Sequence, residues 1–285
     1  FSGDVNMKAA MDTAARQTMI RNVILFSALV FVVAWIAPLM DGSTSSQGPG
    51  FILWGTSPLL ISLLMRAATR DWDDLGAKPA IKRNFQWYGL SALFYPVIMV
   101  LALLVGVLIA ILSVSEFSLG QYLQIALTAL PPFLVFAIFE EVGWRGYLAP
   151  KLASLGLNQY AAAALLALVW TAWHVPYLQT LPWVPFSENL LPFLPRFFLL
   201  LFSTSLVYDA IRNQTGTFWP AVLMHGLGNA FGHPLEADYL RVAVGMDYLG
   251  SISTGLLVIT FAFLFAAVIM HWQVRRSTAF SGHTI

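Results

Sequence analysis

Two adjacent carboxylates, Glu140 and Glu141, lie in a stretch of sequence that is otherwise apolar enough to enter a membrane. Charged side chains are costly in the hydrocarbon region, so they are found there mainly where they pair or perform a function. Glu141 and Arg145 are four residues apart and share one face of a helix, a spacing that suits an ion pair. Glu140 points about 100° away from Glu141 on that helix and stays available as a general base or acid.

Two further apolar stretches carry polar side chains at the same four-residue spacing. Trp170 and His174 lie one helical turn apart, and so do His225 and Asn229, which are separated by two glycines. A single histidine of this kind is most simply explained as an interfacial or hydrogen-bonded packing residue. A glutamate pair, two histidines and an asparagine on three apolar helices together indicate a shared functional site.

The composition indicates that these helices lie in a membrane. The 285 residues are 58% hydrophobic and 10% charged, the mean hydropathy is +0.73, and ordinary soluble domains carry about 25% charged residues. We expect an all-α polytopic membrane bundle that forms a single domain over residues 1–285, with the motif-bearing core at about 122–231. About eight apolar runs approach the roughly 20 residues needed to cross a bilayer: Val23–Met40, Phe51–Met65, Trp87–Ser113, Tyr122–Leu148, Gln159–Tyr177, Leu190–Val207, Trp219–Phe231 and Ile252–Trp272.

Two of these eight runs, the second and the seventh, look short. In the fourth run, Pro131 and Pro132 predict either the start or a kink of the helix that carries Glu140. A start there would place Glu140 about 12 Å along the helix, inside the hydrocarbon.

The basic residues predict the orientation of the chain. Thirteen of the 15 lysines and arginines fall on one side of an eight-span topology, and the exceptions are Arg196 and Arg241. The positive-inside rule therefore predicts a multi-pass membrane protein with both termini in the cytoplasm. We expect the membrane to be the plasma membrane of a bacterial or archaeal cell. This topology leaves His174 and His225 near opposite ends of their spans, so a shared site requires shifted boundaries, a tilt or a broken helix.

Several classes of function lack their usual signals. The absence of cysteine excludes disulfides, a catalytic thiol and thiolate metal sites. The chain has no Gly-x-Ser-x-Gly elbow and no nucleotide-binding glycine motif, and nothing in it indicates a nucleic-acid partner. The expected partners are the lipid bilayer and a membrane-associated peptide or protein substrate.

The three motifs together resemble those of the CPBP intramembrane proteases, a family that includes the CAAX prenyl proteases and bacterial proteins linked to bacteriocin processing or self-immunity. The family pattern consists of Glu-Glu-x-x-x-Arg, an aromatic residue four positions before a histidine, and His-x-x-x-Asn or Asp. This chain matches it in order, with tryptophan where phenylalanine is common, at Glu140, Glu141, Arg145, Trp170, His174, His225 and Asn229.

The resemblance implies a glutamate-dependent endopeptidase without a cofactor. Glu140 and His174 would hold and activate a water, and His225 and Asn229 would donate hydrogen bonds to the oxygen that becomes negative during attack. Glu141, Arg145 and Trp170 would support them.

Three other interpretations remain open from the sequence. The two histidines and a carboxylate could hold zinc, although the His-Glu-x-x-His helix of many zinc proteases is absent and asparagine is a poor zinc ligand. A transporter would also place carboxylates and histidines within the membrane. A scaffold or immunity protein without catalytic activity is the third alternative.

Overall fold

The computed structural model describes the backbone of residues 2–41, 48–180 and 189–281. The side chains of Lys8, Arg275 and Arg276, which contribute to the predicted orientation, lie outside the described part. The helices and strands run in the order α1 Ser2–Ile36, α2 Pro49–Thr69, α3 Ile81–Leu108, β1 Leu112–Val114, α4 Leu119–Gly143, α5 Ala149–Ser154, α6 Gln159–His174, α7 Leu190–Thr215, α8 Trp219–Pro234, β2 Leu240–Val242, α9 Asp247–Gly250 and α10 Leu256–Ser281.

The prediction of an all-α polytopic membrane protein is confirmed. Seven helical segments within the described residues are long and apolar enough to span a bilayer. They correspond to the predicted runs with one exception, the run at Trp219–Phe231. The second run, which looked short in the sequence, is the 21-residue helix α2.

Helix α8 is the exception because it has only 16 residues and carries histidine and asparagine side chains. It continues directly into a π-helical turn at Leu235–Tyr239. Together the two elements make a helical segment of about 31 Å at 1.5 Å per residue, which is close to the thickness of the hydrocarbon. This segment is therefore long enough to cross the membrane, and its polar residues are the reason for its lower hydropathy.

Helix α4 begins earlier than one of the two sequence alternatives predicted. It starts after Ser118, whose side chain accepts a hydrogen bond from the Gln121 amide, so Pro131 and Pro132 lie inside the helix. The interpretation of the prolines as a helix start is wrong. Membrane helices tolerate internal proline when neighbouring helices pack around the distorted turn. Glu140 consequently lies near the C-terminal end of α4, about 31 Å from its first residue at 1.5 Å per residue.

The segment after α4 is a π-helical turn, Trp144–Leu148, which leads without a break into α5. A π-helical turn widens the backbone and changes which residues share a face, and such turns are frequent at functional sites. The turn follows Glu140 and Glu141 directly and contains Arg145.

Close helix contacts around α4 depend on small residues. A Cβ atom at Gly143 would lie 2.4 Å from Pro58 Cβ on α2, and one at Gly226 would lie 2.6 Å from Leu134 Cδ2 on α4. Helices α2 and α8 therefore approach α4 as closely as a glycine allows, in the manner of small-residue contacts in membrane bundles. This packing places the carboxylates of α4 against α8.

A short antiparallel ribbon closes one end of the bundle. Strand β1 pairs with β2 in the register Leu112 to Val242 and Val114 to Leu240. The ribbon joins the loop after α3 to the loop after α8, so it holds these two helices together at that end.

Candidate active site

All four residues expected to perform the chemistry line one cavity. Glu140 comes from α4, His174 from α6, and His225 and Asn229 from α8. The cavity has a volume of about 270 Å³. Trp170 lies between the two histidines, with its ring centroid 6.2 Å from that of His174 and 5.6 Å from that of His225. The separation of the histidines expected from the eight-span topology is therefore absent.

The Glu140 carboxylate is held by one oxygen. Its Oε2 accepts a hydrogen bond of 2.7 Å from Trp170 Nε1 and one of 3.2 Å from Trp144 Nε1. Its Oε1 lies 3.6 Å from His225 Nε2, beyond the range of a direct hydrogen bond. Two indole donors thus fix the orientation of a buried carboxylate, and Oε1 is the oxygen positioned to bind a water.

The His174 ring has a defined tautomer. Its Nδ1 lies 2.9 Å from the carbonyl oxygen of Trp170. Because a carbonyl only accepts hydrogen bonds, Nδ1 carries the proton and Nε2 of the neutral ring presents a lone pair. Trp173 and Phe197 pack edge-on against the ring, with centroid distances of 4.7 and 5.0 Å. His174 therefore presents a rigid acceptor that can orient a water.

The expected ion pair between Glu141 and Arg145 is present and belongs to a larger cluster. Arg145 Nη1 lies 3.1 Å from Glu141 Oε2, and its Nε lies 3.1 Å from Asp209 Oδ1 on α7. Its Nη2 also donates to the Ser205 hydroxyl at 2.9 Å. The guanidinium is completely buried and lies over the rings of Trp170 and Tyr208. One arginine thus serves two carboxylates, of which the sequence analysis identified only the first.

His225 links the two carboxylates of α4. Its Nδ1 lies 2.9 Å from Glu141 Oε1, while Nε2 faces Glu140 Oε1. An ionised Glu141 only accepts hydrogen bonds, so Nδ1 donates to it. In the protonated form of the ring Nε2 also carries a proton, which points toward the side where Glu140 lies. Glu141 therefore orients His225 in addition to pairing with Arg145, which extends the supporting role predicted for it.

The chain is similar to known CAAX endopeptidases over the helices that carry Glu140, His174, His225 and Asn229. Residues 122–231 match the family model described as type II CAAX prenyl endopeptidase Rce1-like. A curated relative, the CAAX prenyl protease 2 of Methanococcus maripaludis, is 28% identical over 131 residues. The resemblance stated from the three motifs is confirmed. That alignment covers 43% of this chain and 47% of the relative, so the chain spans about half the length of the curated relative that it matches.

Two polar residues were not identified from the sequence: His233, which lines the cavity, and Asp209, which pairs with Arg145. His233 follows His225 and Asn229 at the same four-residue spacing, lines the cavity and packs against Phe133 at 5.5 Å between ring centroids. The continued spacing on α8 was a signal that could have identified His233. Asp209 was likewise visible as a single carboxylate two residues after the apolar run Leu190–Val207.

Two buried arginines donate hydrogen bonds to backbone carbonyls of the π-helical turn. Arg66 on α2 donates to the carbonyl oxygen of Gly146, and Arg212 Nε on α7 donates to that of Arg145 at 3.0 Å. A π-helical turn shifts the helical hydrogen-bond pattern, and side-chain donors can satisfy the carbonyls that it exposes. The arginines therefore stabilise the backbone that carries Arg145.

The loop after α2 completes this support outside the membrane-spanning helices. Asp74 Oδ1 pairs with Arg66 at 2.7 Å, and its Oδ2 pairs with Lys151 at 2.7 Å. Burial alone would raise the pKa of the Asp74 carboxyl, but the hydrogen bonds and charges of Lys151 and Arg66 outweigh it and hold that pKa below its usual value. The carboxylate is therefore stabilised in its charged form.

Metal binding requires convergent ligands. Within the part of the chain that the structure describes, no three histidine, aspartate or glutamate side chains form a group suited to a metal ion. In the described geometry, Glu140 and His174 take part in hydrogen bonds with other residues of the protein. A mechanism without a cofactor remains a prediction.

Proposed function

We propose that this integral membrane protein is an endopeptidase that hydrolyses a peptide bond within the membrane, using a water activated by Glu140 and His174. The observation that carries this proposal is the arrangement of Glu140, His174, His225 and Asn229, from three helices, around one cavity. Similarity of residues 122–231 to the CAAX endopeptidase model supports the same class of reaction.

In this mechanism the water lies between Glu140 Oε1 and His174 Nε2. Glu140 accepts a proton as the water oxygen attacks the peptide carbonyl carbon, and His174 accepts the second hydrogen bond of the water and so orients it. The carbon–nitrogen bond then breaks, and the proton held by Glu140 passes to the leaving amine. The Trp170 and Trp144 indoles keep Oε2 engaged throughout, so the reacting oxygen is Oε1.

His225 and Asn229 would stabilise the negative oxygen of the tetrahedral intermediate. His225 donates from Nε2 in its protonated form, in which both ring nitrogens carry a proton and Nδ1 donates to Glu141. Asn229 donates from its side-chain amide. Each donor of this kind contributes about 3 kcal/mol to lowering the barrier when it is fixed before the reaction begins. Helix α8, which carries both residues, packs against α3 and α4, and this packing provides the rigidity.

The substrate class follows from the relatives by analogy. The family description and the name of the Methanococcus protein both refer to CAAX prenyl substrates. In such a sequence a lipid is attached to the cysteine of a C-terminal Cys-a-a-X segment. The cavity carries phenylalanine side chains suited to an apolar chain, among them Phe133, Phe136 and Phe197. A prenylated Cys-a-a-X peptide is therefore the substrate that we propose.

We also propose that both termini face the cytoplasm of a bacterial or archaeal cell. The excess of basic residues on one side supports this orientation. It requires an even number of crossings, and the segment formed by α8 and the following π-helical turn supplies the eighth.

The proposal is tested by incubating the purified, lipid-reconstituted protein with a farnesylated Cys-a-a-X peptide and its unprenylated counterpart, with product analysis by mass spectrometry. We expect cleavage of the prenylated peptide that persists in a metal chelator. Loss of cleavage in chelator, restored by zinc, would support the zinc alternative. Failure to cleave either peptide would contradict the proposal and favour a transporter or a scaffold.

A further inference from the structure

Tyr95 of helix α3 lines the same cavity as Glu140, His225 and Asn229. It lies outside residues 122–231, the segment that matches the family model. It also belongs to none of the three motifs. Tyr95 thus adds a phenol hydroxyl to the cavity from a helix outside the segment that matches the family model.

The position of the Tyr95 ring is fixed by Gly228. A Cβ atom at Gly228 would lie 2.7 Å from Tyr95 Cε2 and 2.8 Å from Cζ, the ring carbon that bears the hydroxyl. The ring therefore packs directly on the backbone of α8, next to Asn229 and three residues from His225. This contact holds the hydroxyl end of Tyr95 beside the helical turn that carries both proposed donors.

The Tyr95 hydroxyl is also oriented by its partner. Tyr208 donates a hydrogen bond to the Tyr95 oxygen at 3.2 Å. Tyr95 is the acceptor in this pair, so its own proton is available to a third group. A phenol has an ordinary pKa of about 10, which makes it a neutral hydrogen-bond donor at neutral pH.

The same buried cluster that orients His225 positions Tyr208. The Arg145 guanidinium lies 4.7 Å from the centroid of the Tyr208 ring and pairs with Glu141. Glu141 in turn accepts from His225. A continuous set of contacts therefore joins the Tyr95 hydroxyl to the histidine proposed as an oxyanion donor.

We propose that Tyr95 is a third hydrogen-bond donor to the carbonyl oxygen of the scissile peptide bond, beside His225 and Asn229. This inference rests on the proposed endopeptidase function. The phenol proton forms its strongest hydrogen bond when that oxygen becomes negative, so Tyr95 acts mainly on kcat.

The test compares Tyr95→Phe with the wild type in the reconstituted peptide-cleavage assay. We expect kcat to fall roughly 10²-fold with little change in KM, since an oxyanion donor is lost and the ring remains. Tyr88→Phe is the matched control. It lies on the same helix and loses one hydrogen bond, from its hydroxyl to the Pro79 carbonyl at 2.8 Å, and it should keep the wild-type rate.

The outcomes separate the two proposals. An active wild type, an inactive Glu140→Gln variant and a Tyr95→Phe variant with unchanged kcat would overturn the role of Tyr95 alone. A rise in KM at constant kcat would overturn it equally, because it indicates ground-state binding only. An inactive wild type would overturn the proposed function, and the role of Tyr95 with it.

A second variant covers the case in which Tyr95→Phe does not fold. Tyr208→Phe keeps the phenol of Tyr95 but removes the hydrogen bond that orients it. We expect its kcat to fall roughly tenfold, less than the loss of a complete donor. A folded Tyr208→Phe protein with wild-type kcat would then contradict the proposal.

Discussion

Replacing Arg145 with alanine removes the single cation that serves Glu141 and Asp209. The guanidinium is fully buried, and both carboxylates lie within 3.1 Å of it. Removal of one partner from a buried ion pair costs about 3–5 kcal/mol, because the remaining charge stays in a medium of low polarity. Total folding free energies are about 5–15 kcal/mol, so this loss is a large fraction of the stability. For a chain of this size it corresponds to a fall in Tm of roughly 5–10 °C.

The assay is thermal unfolding of the purified protein in detergent, together with the yield of folded protein. Arg83→Ala, which removes an exposed arginine, is the matched control and should leave Tm unchanged. A third variant tests the cause. Arg145→Met combined with Glu141→Gln and Asp209→Asn removes all three charges, and it should regain much of the lost stability. An Arg145→Ala protein with the wild-type Tm would refute the reasoning, as would a triple variant no more stable than Arg145→Ala.

Two further predictions concern the support of the site. Gly143→Ala should lower Tm by several degrees, because its Cβ would overlap Pro58 on α2. Gly120→Ala in the same helix is the control and should leave Tm unchanged, since its Cβ would meet no atom within 4 Å. Equal Tm values for the two variants would contradict the close contact. Because the pKa of Asp74 is held below its unfolded value, the stability that this carboxylate contributes is present at neutral pH and is lost as the pH falls below about 4 toward the folded pKa. When Tm is measured against pH, Asp74→Asn should lose less stability than the wild type as the pH falls. Asp73→Asn, at an exposed neighbouring position, should follow the wild-type profile. Parallel profiles for Asp74→Asn and the wild type would contradict the effect.

The polar motifs of this chain were identifiable from sequence because charged and polar residues stand out in apolar helices. The spacing of Glu141 and Arg145 predicted their ion pair, and the structure has it at 3.1 Å. The helical bundle itself followed from composition and the lengths of the apolar runs.

Other features depend on how the helices pack against one another. Asp209 and Tyr95 reach the site from α7 and α3, and no periodicity within one helix tells which neighbour that helix faces. The start of α4 was ambiguous for another reason. Pro131 and Pro132 break helices in water, but a membrane helix continues through them because its neighbours and the lack of competing water maintain the fold.

The rate of peptide cleavage by Glu140→Gln tests the central claim most directly. The amide keeps the shape of the side chain and can still accept hydrogen bonds from Trp170 and Trp144, but it cannot take a proton from water. We predict that kcat falls by about 10³-fold or more while Tm stays close to that of the wild type, and that Glu116→Gln, at an exposed glutamate, remains fully active. Cleavage by a folded Glu140→Gln protein at the wild-type rate would contradict the account.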